Sequence, residues 1–382
     1  LVERIEGWTD HGAGRTVNVG LIEGGSAVNA VPGWATAVVD LRTVTRADHA
    51  WGRERVAALA GEGSVASADG SFRTRVAVEE LPGYPPWEPN GASDALGARV
   101  VGRELRQVRL ASPFVLRSVD PPITATENMR VLDVQRLGKR IVLALEDDLY
   151  IVIHLMIAGR FRWKPPGQKI PGRIGLAAFD FDDGTLLLTE ASKKKRASLH
   201  LCRGQTSLHE HDPGGIEPLE IDFASFRDAL VGRNHTVKRA LTDPRIFSGI
   251  GNAYSDEILH RAKLSPLRWT RRLKDEELER LYDATRETLT EWAERLVEQH
   301  GDDFPQKVTA FRPEMAVHGK YGEPCPACGD PVQRIVFADR ETNYCATCQT
   351  GGKLLADRAL SKLLKGDWPR SLEELESLRL GD

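Results

Sequence analysis

Four cysteines in the last sixth of the chain are spaced like the ligands of one metal ion. Cys325 and Cys328 form one C-x2-C pair, and Cys345 and Cys348 form a second. Each pair can place two thiolates on one tight turn, and the stretch between the pairs is long enough for a β-hairpin that brings them together. The spacing therefore predicts a structural zinc site. Disulfides are the alternative, which a reducing compartment disfavours.

A second chemical feature is the turn Gly249-Ile250-Gly251-Asn252, which precedes the helix-like segment 253–262. Glycines let a partner approach the backbone closely, and the N–H groups at the start of a helix favour an anion. Asn252 is a residue type that caps helices, and its amide can also donate to a phosphate oxygen. By itself the tetrapeptide is also typical of an ordinary turn between helices.

The formal net charge of −3 indicates no general affinity for polyanions, but the charge is unevenly distributed. Residues 1–95 hold eight Lys and Arg against 13 Asp and Glu, and the later residues hold 44 against 42. Basic residues cluster at 193–196, which reads Lys-Lys-Lys-Arg, and at 268–274. Such clusters are usually solvated surfaces, and they are compatible with a nucleic-acid partner.

The elements that must position these residues begin with an N-terminal α+β unit. Residues 16–43 predict two short strands separated by a Gly-Gly turn, residues 47–61 an amphipathic helix, and residues 72–80 a further strand. The segment 81–93 contains four prolines. Because such a segment can be neither helix nor central strand, it predicts a domain boundary.

After this boundary the pattern changes from strands to helices. Residues 99–112 and 129–190 are strand-rich, and 223–242, 252–263 and 274–299 have apolar residues at helical spacing. We therefore expect a multidomain α+β protein with a small α+β unit, a β-sandwich, a helical bundle and a zinc hairpin. The sequence has no long apolar run and no signal-peptide pattern, so we expect a cytoplasmic protein without membrane contact.

The segment HTVKRALTDPRIFSGIGNAYSDEILHRAKLSPLR (235–268) resembles the helix–two-turn–helix of the formamidopyrimidine-DNA glycosylase and endonuclease VIII family. Residues 100–119, 136–145 and 152–163 resemble the β-sandwich of that family, and 317–329 with 339–349 resemble its zinc hairpin. The resemblance covers about residues 96–350. It implies a β-sandwich over 96–215, a helix–two-turn–helix domain over 220–310, a zinc hairpin over 315–352 and a tail over 353–382.

The resemblance implies a function in DNA base-excision repair. The family removes oxidised bases and then nicks the abasic strand, which needs a flipped base, an amine nucleophile and groups that move protons. We therefore expect the partner to be double-stranded DNA with damaged or abasic sites. The resemblance also implies a monomer on DNA and association with the nucleoid.

Residue roles follow from the same resemblance. Lys139 matches the lysine that contacts phosphate and assists elimination, and Arg340 matches the arginine of the zinc hairpin that contacts DNA and aids the second elimination. Asn252 matches the phosphate-binding asparagine. Lys238 lies on the same helical unit and is expected near the DNA backbone.

Two further segments bear on base flipping. Met156, or its neighbour Ile157, resembles the apolar wedge that fills the gap left by a flipped base. The segment 189–201 stands where the family commonly has an Arg-Phe wedge pair, and it contains no Phe. Recognition of the opposite base is therefore not expected to follow the pattern of the family.

The resemblance fails at the nucleophile of the family, the amine of an N-terminal proline followed by a glutamate. Its position falls near residues 84–87, which read Tyr-Pro-Pro-Trp. A proline nitrogen inside a chain is an amide without a nucleophilic lone pair. Cleavage before Pro85 or Pro86 could expose an amine, and a desolvated lysine could replace it. The alternative function is a non-catalytic zinc protein that binds damaged DNA.

Residues 1–90 resemble a different family, the dimerisation (lid) domain of aminoacylase and carboxypeptidase-type zinc metallopeptidases. The motifs TVNVG, GG, NAVP and DLR are the basis of this resemblance. The stretch has only His11 and His49 as imidazoles, which cannot make a two-metal peptidase site. We expect a lid unit without peptidase activity, through which a dimer could form.

Overall fold

The computed structural model divides the chain into two compact units, Leu1–Asn90 and Gly91–Asp382. The division falls within the proline-rich segment 81–93. The structure describes residues 2–10, 12, 15–24, 34–43, 46–66, 73–79, 91–301, 303–305, 311–337, 340–355, 369, 371, 372 and 374. Segment 84–87, where the family's nucleophile would fall, and His11 therefore lie outside the described residues.

The first unit is a small α+β arrangement, as its sequence pattern predicts. Its elements are α1 (Val2–Glu6), β1 (Arg15–Gly24), β2 (Ala35–Thr43), α2 (Arg46–Ala57), β3 (Gly61–Ala66) and β4 (Arg73–Val76). The strands form two antiparallel pairs, β1 with β2 and β3 with β4. The guanidinium groups of Arg15 and Arg55 each lie 4.4 Å from the ring centre of Trp51 in α2. Strand β3 was not predicted, because the sequence GEGSVA has little apolar alternation.

The second unit opens with helix α3 (Gly91–Val100) and continues as a β-sandwich. Its strands are β5 (Glu104–Leu105), β6 (Gln107–Leu110), β7 (Met129–Leu137), β8 (Arg140–Leu145), β9 (Leu149–His154), β10 (Gly159–Lys164), β11 (Gly175–Phe181), β12 (Gly184–Glu190) and β13 (Ser198–Arg203). One sheet has the order β10-β12-β11-β6 and the other β13-β9-β8-β7-β5. Every residue of β11 and β12 is buried, because neighbouring elements cover both of their faces.

Helix α3 corrects the prediction that the segment from residue 99 is a strand. Ala95, Leu96 and Val100 are buried at helical spacing. The helix reaches Val100, and the first strand of the sandwich begins only at Glu104. The strand-rich segment therefore begins at Glu104 and not at residue 99 as predicted, because α3 extends to Val100.

The helical part follows the sandwich. After the short helix α4 (Gln205–His209) it contains α5 (Phe223–Gly232), α6 (Val237–Thr242), α7 (Asn252–Arg261) and α8 (Asp275–His300). Its core includes Phe226 and Phe247, whose stacked rings have centres 4.7 Å apart. The predicted single helix 223–242 is two helices, because the backbone of Arg233 is extended and ends α5.

The last described part is a small module built on a hairpin. Strands β14 (Gln333–Phe337) and β15 (Arg340–Tyr344) pair antiparallel, and the short helix α9 (Ala346–Thr350) follows. Val317, Cys325, Val332 and Cys345 form a buried cluster in this module. Among the described helices, none is both long and apolar enough to cross a bilayer.

Candidate nucleic-acid interface

The four cysteines of the last module form the predicted zinc site. Their sulfur atoms all lie within 4.8 Å of one another, with Cys325 to Cys348 at 3.9 Å and Cys328 to Cys345 at 3.4 Å. Four thiolates around one zinc ion at about 2.3 Å each would be about 3.8 Å apart, so this donor set fits tetrahedral zinc. These separations exceed the ~2.05 Å of a disulfide, which removes the alternative.

His260 of α7 is a further neighbour of this site that the sequence did not indicate. Its Nε2 lies 3.2 Å from Cys325 Sγ, where an N–H can donate to the thiolate. Burial lowers the pKa of His260. An outer partner of this kind orients a metal ligand and tunes its basicity. Helix α7 therefore contacts the zinc module directly.

The turn before α7 has the open backbone that its glycines predicted. Gly249 has a φ of +79°, and Gly251 rather than Asn252 is the N-cap, so Asn252 is the first residue of the helix. The Asn252 side chain is turned towards the zinc hairpin, where its Nδ2 donates to the Glu341 carbonyl at 2.8 Å. The predicted capping role of Asn252 is therefore wrong, whereas its location at the helix start is as predicted.

Lys139 of the β-sandwich lies at the same turn. It follows Gly138, which has a φ of +60°, in the connection between β7 and β8. Its Nζ donates to the Ile250 carbonyl at 3.1 Å, and a Cβ added to Gly251 would lie 3.7 Å from that nitrogen. The fold thus brings together a lysine and a glycine turn that are 111 residues apart in the chain.

Arg340 is the first residue of β15, and its backbone pairs with Phe337. Its side chain lies outside the described part of the structure, so its predicted contact with DNA stays a prediction. The strand that begins with Arg340 also contains Glu341, the partner of Asn252. Lys139, the glycine turn and the zinc hairpin are therefore joined by hydrogen bonds into one surface.

Met156 and Ile157 lie in the turn between β9 and β10. Met156 has a φ of +54° and is 40% exposed, whereas Ile157 is 61% exposed. A left-handed backbone at a residue other than glycine is uncommon and is often found at functional sites. Of the two residues that the sequence left open, Ile157 is the more exposed, and the wedge role of either residue stays a prediction.

Lys238, which was expected near the DNA backbone, has a largely buried side chain. Its side chain is 12% exposed, and its Nζ donates to the Asn252 carbonyl at 3.0 Å and forms an ion pair with Asp256. Burial lowers the pKa of Lys238, and the Asp256 carboxylate opposes that shift. The Asp256 carboxylate stabilises this buried ammonium, and the expected location of Lys238 near the DNA backbone stays a prediction.

Asp256 and Glu257 of α7 are site residues that the sequence analysis missed. Besides Lys238, Asp256 accepts hydrogen bonds from His318 Nδ1 at 2.8 Å and from the Asn343 N–H at 3.2 Å. Glu257 accepts the N–H groups of residues 316, 317 and 318 at 2.7–3.0 Å. The sequence signal for this role was the presence of two adjacent carboxylates in the middle of a helix whose other residues are about half apolar. Both carboxylates attach the zinc module to α7.

His154, the last residue of β9, is another residue that the sequence analysis missed. It pairs with Arg140 of β8 on one side and with Ser198 of β13 on the other. Burial is the largest of the causes that lower the pKa of His154 to about 4, and the charges of Arg140, Lys139 and His200 are the others. A neutral imidazole beside two cations can accept or donate one hydrogen bond at neutral pH.

Replacing His154 with asparagine is expected to flatten the acid side of the stability profile. Between the ordinary pKa of 6.5 and about 4, the unfolded chain binds a proton that the folded protein does not bind. Stability is therefore lost as the pH falls through this window, and asparagine cannot contribute to that loss. Urea unfolding of both proteins between pH 4 and 7 measures it. Parallel profiles of wild type and variant would contradict the shift.

Known family models match most of the chain. The formamidopyrimidine-DNA glycosylase N-terminal domain matches residues 90–201, and the H2TH domain of the same enzymes matches residues 215–299. The zinc finger found in FPG and IleRS matches residues 322–351. The peptidase dimerisation domain matches residues 3–67.

Similar proteins include formamidopyrimidine-DNA glycosylases of two bacteria. A Thermus thermophilus protein is 36% identical over 263 residues, covering 66% of this chain and 93% of that protein. The Heliobacterium modesticaldum protein is 33% identical over 269 residues, covering 67% and 95%. An uncharacterised formamidopyrimidine-DNA glycosylase-like protein of Mycobacterium tuberculosis is 41% identical over 151 residues, covering 40% and 94%.

Solved structures agree with the fold. The crystal structure of MutM (Fpg) from Thermus thermophilus has a TM-score of 0.57 at 35% identity, covering 68% of this chain and 96% of that one. The Lactococcus lactis Fpg complex with abasic-site DNA has a TM-score of 0.59 at 23% identity, covering 68% and 97%. At that identity the second likeness concerns the fold alone.

Proposed function

Because this chain belongs to the formamidopyrimidine-DNA glycosylase family, we propose that it binds duplex DNA with damaged or abasic sites and acts there in base-excision repair. The proposed activity is removal of oxidised bases followed by abasic-site lyase cleavage. One observation supports it most: Lys139 Nζ lies 3.1 Å from the Ile250 carbonyl, and Asn252 Nδ2 lies 2.8 Å from the Glu341 carbonyl. A sandwich lysine, a helix start and the zinc hairpin thus meet at one place.

Each component of this surface suits a DNA phosphate. The first N–H groups of α7 have no acceptor within the helix and point at the turn, where the helix dipole favours an anion. Lys139 adds an ammonium beside them. Arg340 would add a guanidinium from the hairpin, and Ile157 or Met156 would fill the gap that a flipped base leaves.

The lyase step needs an amine. The amine attacks the C1′ aldehyde of the abasic sugar and water leaves, giving a Schiff base; loss of the C2′ proton then expels the 3′ phosphate, and hydrolysis restores the amine. We assign Lys139 the role of contacting the phosphate and assisting this elimination. Its Nζ lies at the turn, where it donates to the Ile250 carbonyl.

A second function is supported by one specific observation. Pro85 and Pro86, near the position of the family's nucleophile, are inside the chain, so their nitrogens are amides. A protein without the catalytic amine would bind damaged DNA without cutting it. A peptidase function has no such support, because among the described residues only the four cysteines are grouped as metal ligands.

Borohydride trapping on abasic-site duplex DNA separates the two functions. A covalent adduct with wild type is expected if any amine of the protein forms a Schiff base. Replacing Lys139 with alanine is then expected to reduce nicking by at least about 100-fold, the usual size of a lost proton-transfer group. Replacement of Lys169, an exposed lysine elsewhere on the sandwich, is the matched control.

Each outcome has one interpretation. An adduct together with nicking that does not change in the Lys139 variant would contradict the assignment of Lys139. If no adduct forms and salt-dependent binding to abasic DNA is retained, the protein is the binding module. If wild type has no preference for abasic duplex over undamaged duplex, both functions are wrong.

The proposal also covers assembly and location. Residues 91–382 would bind DNA as a single copy, and the first unit would mediate self-association. That role is supported by the match to a dimerisation domain and by the exposure of Leu21, Ile22 and Trp34, which are 50%, 59% and 64% exposed. A protein with this activity would be found with the nucleoid.

A further inference from the structure

Two connections between the sheets of the sandwich lie side by side at one edge. The turn 155–158 runs from the end of β9 to the start of β10, and the loop 191–197 runs from the end of β12 to the start of β13. His154 pairs with Ser198, and Gly159 pairs with Glu190. Both ends of one connection are therefore paired with both ends of the other.

The two connections have different chemistry. The turn 155–158 exposes Met156 and Ile157, which are apolar. The loop 191–197 reads ASKKKRA and exposes four consecutive cations at 193–196. It has no aromatic ring that could stack on an unpaired base, and no Asn or Gln that could bind an adenine edge with two hydrogen bonds.

A buried carboxylate fixes the shape of the basic loop. Glu190 is 2% exposed, and its Oε2 accepts the N–H groups of Arg196 at 2.8 Å and Ala197 at 3.0 Å. Lys195 Nζ donates to the Glu190 carbonyl. Lys193 and Lys194 are both exposed at the outer part of this anchored loop. Their ammonium groups are therefore presented by an ordered loop.

The turn 155–158, called here the apolar tip, lies between two cationic groups along the sheet edge, Lys139 and the basic loop 191–197. Arg140 pairs with His154, and His154 pairs with Ser198, so β8, β9 and β13 end at the same edge. Neighbouring strands are about 4.8 Å apart, which puts Lys139 and the basic loop on opposite sides of the tip, about 10 Å apart at the strand ends.

From this arrangement we infer that Lys193 and Lys194 contact the phosphates of the DNA strand opposite the lesion. The inference rests on the proposed function, in which Lys139 contacts the lesion strand and the apolar tip enters the stack. An apolar wedge separates base steps while cations on its flanks neutralise the two backbones. Phosphates are the same at every base, so this loop adds affinity without reading the opposite base.

Fluorescence anisotropy on duplexes with a tetrahydrofuran abasic-site analogue opposite A, C, G or T tests the inference. The variant K193A/K194A is expected to lower the slope of log K against log salt concentration by about 2, since each phosphate contact contributes about 0.9. The loss should be equal for all four opposite bases. An equal unfolding midpoint of variant and wild type shows that the fold is retained.

The control is the variant K164A/K169A, which removes two exposed lysines, the last residue of β10 and one in the connection from β10 to β11. Its salt slope is expected to equal that of wild type. Equal changes in both variants, or a loss confined to one opposite base, would overturn the inference. If wild type itself does not prefer the abasic duplex, the proposed function fails instead, so the two failures are distinguishable.

Discussion

Replacing Cys328 with alanine is expected to empty the zinc site and abolish binding to abasic-site DNA. Cys328 is exposed, so its replacement removes a metal ligand without opening a cavity. Removal of a residue that only hydrogen-bonds to a metal ligand lowers metal affinity ~10–100-fold. We expect a larger loss of zinc affinity here, because Cys328 is itself a ligand. Zinc binding of about 10–16 kcal/mol folds small modules of this kind, and two of the cysteines are themselves part of the buried cluster of this module.

The loss should reach the DNA-binding surface through β15. When the hairpin unfolds, Asn252 loses the Glu341 carbonyl and Arg340 loses its position. Zinc content by a colorimetric chelator assay and anisotropy on abasic duplex measure the two effects. Replacement of Cys202 with alanine is the control, because this thiol is buried in β13, outside the cluster. A Cys328 variant with one zinc per chain and wild-type binding would contradict the assignment.

The zinc site was predictable from sequence because its information is local. Two C-x2-C pairs determine two turns, whatever the rest of the fold does. The glycine turn before α7 was recognisable for the same reason, since Gly249 needs a left-handed backbone that few other residues adopt. The strands of the sandwich followed from apolar runs that alternate or are continuous, and strands such as β11 and β12 are buried on both faces.

The partners of the helical residues could not be predicted in this way. Asp256 binds residues 62 and 87 positions further along the chain, which no periodic pattern connects to it. Lys238 could extend towards solvent or towards the protein, and only the position of Asp256 decides between them. The orientation of the Asn252 side chain is likewise determined by its hydrogen bond to the carbonyl of Glu341, which belongs to the zinc hairpin.

The relative exposure of Met156 and Ile157 could not be predicted from the sequence either. Their sequence identifies an apolar turn, but neighbouring residues in an irregular turn can point in different directions. The left-handed backbone of Met156 turns the chain, and Ile157 is the more exposed side chain. Backbone conformation at a single residue is thus the information that the sequence lacked.

Replacing Asp256 with alanine is expected to cost about 3–5 kcal/mol of folding stability, because it leaves the Lys238 ammonium buried without its carboxylate. The Asp256 side chain is 0% exposed and also binds His318 Nδ1 and the Asn343 N–H. Removing both charges in the double variant K238M/D256N should cost less stability than the sum of the losses in K238M and D256N. The difference measures the coupling between the two side chains. Chemical unfolding in urea provides each value.

The deficit of the Asp256→Ala variant should also depend on pH. Burial already lowers the pKa of Lys238 below its ordinary 10.5, and without Asp256 that pKa falls further. Between the lowered pKa and 10.5 the unfolded chain binds a proton that the folded protein does not, so stability rises with pH in this window. The deficit should therefore shrink as the pH is raised towards 10.

The control for the Asp256 variant is replacement of Glu323 with glutamine. This change breaks the exposed Lys320–Glu323 pair and should cost less than about 1 kcal/mol of folding stability. If the Asp256 variant lost no more stability than this control, the buried Lys238–Asp256 pair would not contribute the stability assigned to it.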